Sequence, residues 1–169
     1  MRGPTDPKHG ARYRYMKRLI ISVTVCLLCT SIGWAQSGAP GRVTVTVARI
    51  GANLLLTADI PAAAVAETAS AANTRLQTLA VALRDVSRAF LLPEAAGCEV
   101  SEADVIRHLG NAGAGPGISA GWEFICTNAG VIDTIGVTLF SEIPVESMDG
   151  FAFPDRQQVI FADNPVLAL

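Results

Sequence analysis

The chain predicts an α+β fold: a mainly antiparallel sheet of hairpins with one clear amphipathic helix packed on it. Three observations carry this expectation. From Arg42 to Arg49 the sequence alternates, with Val43, Val45 and Val47 on one side and Thr44 and Thr46 on the other, which is the period of a half-buried strand. Leu76, Leu79, Leu83, Val86 and Phe90 recur at spacings of three and four, which is the period of a helical stripe. From Ala120 to Thr127, Trp122, Phe124 and Cys126 share one face of an alternating stretch and Glu123 takes the other.

The elements follow in order. Ile50 to Asn53 supplies a turn, and Leu54 to Ile60 reads as a return strand, so the first two strands form a hairpin ended by Pro61. The Ala-rich stretch to Ala72 suits either a linker or a weak helix. Thr74 and Gln77 match a capping box, which predicts that the striped helix starts there. Arg75, Arg84, Asp85 and Arg88 lie off its stripe, and Pro93 stops it. Gly97 to Val100 predicts a short strand, with Glu102 and Asp104 opening a turn or helix after it. Gly110 to Gly117 predicts a flexible segment. Thr134 to Phe140 is β-rich, while Leu139 to Ile143 also suits a short helix before Pro144. Ser147 to Phe153, a Pro154-Asp155 turn and Gln158 to Phe161 predict a last hairpin.

Ahead of this domain the sequence predicts export. Met16-Lys17-Arg18 is a charged start, Leu19 to Ile32 is an apolar run too short to span a bilayer, and Gly33 and Ala35 are small residues before a cut at Ala35-Gln36. These are the three parts of a secretory signal over residues 16–35. Cys26 and Cys29 follow Val25 and Leu28, whereas lipid attachment wants a small residue there. Residues 1–15 are basic and contain tyrosine, and they read as an upstream extension from a start codon set too early. The working protein is then a single domain over residues 36–169.

Removing residues 1–35 changes the charge. Seven of the 13 Lys and Arg remain, all of them arginine, with 14 of the 15 Asp and Glu, so the formal charge moves from −2 to −7. Such a surface repels phosphate backbones and anionic headgroups, which argues against nucleic-acid partners. No basic amphipathic stretch argues for membrane association of the mature domain. A metal ion or cationic partner is permitted, although acidic balance is also an ordinary aid to solubility. Four cysteines become two, Cys98 and Cys126. In an exported domain this predicts a disulfide. The bond would close 27 intervening residues, worth on the order of 3 kcal/mol. The other reading of the pair is two zinc-binding thiolates, for which no nearby CxxC or histidine cluster speaks.

Catalytic constellations are short of parts. The mature chain holds one histidine, His108, and no lysine, so nucleophilic schemes have no base unless His108 serves. Glu99, Glu102 and Asp104 could pair as carboxylates, but acids are numerous enough to pair by chance. No GxxxxGK or HExxH is present, and Gly110, Gly113, Gly115 and Gly117 do not open a helix as a dinucleotide loop requires. The expectation is a protein that is not an enzyme.

Several stretches taken in order resemble one family. They are Phe90-Leu91-Leu92-Pro93-Glu94-Ala95-Ala96-Gly97-Cys98, then Phe124-Ile125-Cys126, then Leu139-Phe140-Ser141-Glu142-Ile143-Pro144, and last Asn164-Pro165-Val166-Leu167-Ala168-Leu169. Together they are similar to the motifs of bacterial periplasmic zinc-uptake proteins of the ZrgA type, over most of Arg42 to Leu169. The resemblance implies a periplasmic protein that binds zinc and assists its uptake, with histidines supplying most of the metal capacity. This chain departs from the family at those histidines. None lies around Gly41 to Val47, and the histidine-bearing segment is absent near Val65 to Ala72. In place of a His-rich insert stands Arg107-His108-Leu109-Gly110-Asn111-Ala112-Gly113. His108 alone occupies a position where the family has metal ligands.

Two functional expectations follow. One is an exported periplasmic protein of zinc uptake with weakened or lost metal binding, whose partners are a zinc ion or a metal-uptake transporter. The other is a metal-free periplasmic binding or protein-interaction module on the same scaffold.

Overall fold

The computed structural model describes residues 41–110 and 115–169, which lie within one compact unit, Ser37–Leu169. The expected upstream extension, the secretory signal, the lead-in to Pro40 and residues 111–114 of the Gly-rich segment fall outside the described residues.

The fold is α+β. Strands β1 (Thr44–Ile50) and β2 (Asn53–Pro61) form the first hairpin. Its two-residue connection puts Gly51 at φ +63°, a conformation that glycine enters without steric penalty and that tight hairpin turns demand. Strands β4 (Cys98–His108) and β5 (Gly117–Cys126) form a second hairpin, which joins the first because β5 pairs antiparallel with β2. Strands β7 (Ser147–Ala152) and β8 (Arg156–Phe161) form a third, and β7 lies parallel to β1. The resulting six-stranded sheet has the order β4-β5-β2-β1-β7-β8. Short strands β3 (Phe90–Leu91), β6 (Thr134–Val137) and β9 (Val166–Ala168) make a second sheet, β3-β6-β9.

Alternation along the strands buries one face of the large sheet. Val43, Val45 and Val47, then Leu54, Leu56 and Ile60, then Trp122 and Phe124 are at most 3% exposed. Two helices follow β2: α1 (Ala62–Val65) and α2 (Ala69–Ala82). Helix α2 packs against β4 and β5 through Ala72, Leu76 and Leu79. The small sheet covers the other part of that face, with Leu167 of β9 lying over Gly150 of β7. Trp122 joins the layers. Its indole N–H donates to the Leu83 carbonyl at 3.1 Å, giving a partner to a carbonyl left over at the end of α2. Phe90 meets the indole edge-on, with centroids 5.4 Å apart.

Polar side chains fix the remaining joints. Arg49 donates to the carbonyls of Ala129 and Ile132, both at 3.0 Å, tying the end of β1 to the turn after β5. Arg42 bridges to Asp149 at 3.0 Å and to Ser147, fastening the start of β1 to β7. The Gln158 amide donates to the Val166 carbonyl and accepts from the Ala168 N–H, so one side chain couples β8 to β9.

Four expectations are corrected. The helix starts at Ala69, not Thr74, and its N-cap is Thr68, whose hydroxyl accepts from the Ala71 N–H. Alanine has the best helix propensity, so the Ala-rich run extends the helix backwards. Thr74 sits inside the helix and its hydroxyl donates to the Ser70 carbonyl instead of capping. The helix also ends at Ala82, well before Pro93. Asp85 accepts from the Ser87 N–H and hydroxyl, which favours a separate single turn over Val86–Arg88 and leaves Phe90 in β3. Glu102 and Asp104 do not begin a turn or helix but lie within β4, which runs to His108. Strand β9 has no counterpart among the expected elements.

Candidate functional site

The residue singled out as a ligand position, His108, is the last of β4, opposite Gly117 at the start of β5. It is half-buried, not a solvated loop side chain. The reason is close packing. A Cβ on Gly117 would come within 3.1 Å of the imidazole Cε1 and 2.6 Å of the Ile60 carbonyl oxygen, so glycine lets the ring settle over the neighbouring strand.

This end of the hairpin faces the start of α2 across a cleft of about 180 Å³. Its floor is alanine, including Ala62, Ala66 and Ala72, and its polar lining is Glu67, Asn73, Arg107 and His108. The chain closes the cleft for local reasons. The Ala62 N–H donates to the Pro116 carbonyl at 2.9 Å, which holds α1 against the approach to β5. Arg107 projects to the opposite side of β4 from the strand's acids and donates to Asn73 at 2.8 Å, which joins the strand to α2.

The donor set decides what the cleft can do. Zinc sites use three or four Cys, His or acidic ligands. The cleft offers one carboxylate, Glu67, and the Arg107 guanidinium, which opposes a cation, whereas His108 lines the rim and its ring lies over Gly117 on the face of β4 opposite Arg107. No group of three or more His, Cys, Asp or Glu is placed to hold a metal ion among the described residues. The residues present therefore fall short of a complete zinc site.

The two cysteines are brought together elsewhere. Cys98 and Cys126 are opposite one another in the β4–β5 register and are joined as a disulfide. They sit at the other end of β4 from His108. Ten positions of strand separate them, about 30 Å at the usual rise, so thiolates and imidazole cannot share one ion. Glu99, Glu102 and Asp104 lie along β4 on the face away from α2. Glu67 and the cleft itself were missed by sequence reasoning. The signal was the Ala-rich stretch directly after Pro61, which builds a small-residue floor next to the hairpin.

Among the described residues no helix is long and apolar enough to cross a membrane. Residues 39–149 match the family model described as ZrgA family zinc uptake protein. No curated protein matches the chain.

Proposed function

We propose, for a chain that belongs to the ZrgA family of zinc uptake proteins, that it serves zinc uptake in the periplasm as a non-enzymatic accessory that holds the ion weakly. Zinc is its cargo in this reading and a metal-uptake transporter its partner. The observation that carries the reading is the family match, which runs from β1 into β7 and so spans the disulfide hairpin and the His108 cleft. The signal-like segment at residues 16–35 and the bonded cysteines support export. A single histidine after Ala35, with no group of three or more metal-ligating residues among the described residues, supports low affinity. The want of a lysine, and of any histidine after Ala35 but His108, to serve a nucleophile as base supports a role without catalysis.

A second reading keeps the scaffold and drops the metal. The Arg107 guanidinium in the cleft favours it, because a fixed positive charge there disfavours a dication.

Calorimetric titration of the oxidised protein with zinc tests the first reading. The expected dissociation constant is no tighter than about 10 µM, corresponding to about 7 kcal/mol, and the heat disappears in His108→Ala. Submicromolar binding that survives His108→Ala would place the ligands elsewhere and refute the assignment. No heat at millimolar zinc would end the metal reading and leave the metal-free module.

A further inference from the structure

Strand β4 is an edge. It runs eleven residues, Cys98–His108, and among the described residues it pairs only with β5. Its free side presents backbone donors and acceptors that an extended polypeptide can pair with. Edges this long invite self-association unless something blunts them.

The blunting here is electrostatic, with a bulge in the register between Val100 and Glu102 beside it. The register puts Glu99, Glu102 and Asp104 on the face of β4 away from α2, and sets Glu102 directly opposite Glu123 of β5. Like charges so opposed destabilise a sheet. Asp59 of β2 stands on the same face and accepts from Ser119 at 2.6 Å. Ile106, 55% exposed, and then His108 continue this face to the end of the strand. The one arginine of β4, Arg107, lies on the other face and is bonded to Asn73. A second copy of β4 laid along this edge would oppose carboxylates to carboxylates. On the α2 side of the strand the same edge is apolar, with Val100 47% exposed and Ala103 and Val105 beside it.

We propose that the free edge of β4 binds a basic extended polypeptide segment, adding it as a seventh strand to the sheet. Its Lys or Arg side chains would alternate over Glu102, Asp104 and Glu123, and its intervening aliphatic side chains would lie against Val100, Ala103 and Val105. Charge complementarity selects this occupant, since it relieves the Glu102–Glu123 repulsion that a copy of the chain would worsen. The inference stands apart from zinc binding and is tested without metal.

The probe is a blocked decapeptide alternating lysine and valine, with a glutamate–valine peptide as control. The protein expressed from its full sequence is purified, and both peptides are titrated by NMR with amide exchange read residue by residue. The lysine peptide is expected to bind, the glutamate peptide not to bind, and alternate β4 amides to exchange at least about tenfold more slowly when bound. Glu102→Lys with Asp104→Lys should weaken binding at least about tenfold, and the shape-preserving Glu102→Gln with Asp104→Asn about threefold or more. Unchanged affinity in both variants, or binding that leaves β4 exchange unaltered, overturns the proposal. So does a dimer that protects β4 without peptide.

Discussion

Replacing Trp122 by phenylalanine tests how the helix end, the sheet and the small sheet are joined. The indole is fully buried, and its N–H donates to the Leu83 carbonyl. Phenylalanine keeps an aromatic ring in the layer but removes that donor. A buried acceptor left without a partner costs about 1–3 kcal/mol. The smaller ring also leaves a void of about 40 Å³, which adds about 1 kcal/mol at about 24 cal/mol per Å³. The edge contact with Phe90 is loosened as well. The expected loss is therefore about 2–4 kcal/mol. At an ordinary urea slope for a domain of this size, the unfolding midpoint should fall by about 1–2 M. Circular dichroism is the right probe, because Trp122 is the only tryptophan after Ala35 and the variant loses its fluorescence. A loss under about 0.5 kcal/mol would mean that the Leu83 carbonyl has another partner or that the helix does not end there, and the account of the layer junction would be wrong.

Three other outcomes are expected. Gly117→Ala should cost at least about 1 kcal/mol in urea unfolding, because its Cβ meets backbone at Ile60 and not only the movable His108 ring, so an unchanged midpoint would contradict the packing described. Reduction of the Cys98–Cys126 bond, which spans 28 positions, should lower stability by about 3–4 kcal/mol, and a thiol reagent should find no reactive thiol on a chain that begins at Gln36 before reduction and two after. Asp85 has its carboxyl held below the ordinary 3.8, first by the Ser87 hydroxyl and then by the Ser87 N–H, so its contribution is present above the ordinary value and lost as pH falls through the depressed folded value. An NMR titration of the Asp85 carboxyl should show that depressed midpoint, and Ser87→Ala should raise it.

The parts legible in the sequence share a cause. Val43, Val45 and Val47 declare their face because a buried face must be apolar at every second residue. Of the grouped Leu76, Leu79, Leu83, Val86 and Phe90, all but the half-buried Val86 are buried even though Phe90 belongs to a strand, since burial follows hydrophobicity whatever the local backbone does. The end of the helix was not legible, because the indole N–H that donates to the Leu83 carbonyl is 39 residues away on β5. Strand β4 was cut short in expectation because an exposed edge of Glu, Ser and Asp shows no apolar alternation. Its length comes from the register with β5. The cleft was hidden for a similar reason: residues 62–73 meet Arg107, Leu109 and Pro116 only once β2, β5 and β4 lie side by side.

The sequence by itself determined the α+β class, the first and last hairpins, the partnering of Cys98 with Cys126 and the presence of a single histidine after Ala35. Each of these follows from residue type and short spacing, which act within a few residues along the chain. Only the tertiary structure decided that Cys98 and His108 stand at opposite ends of one strand, that Glu102 faces Glu123, and that β4 is the edge of the sheet among the described residues. Those facts depend on strand order and register, set by packing of the whole buried face and not by any one segment.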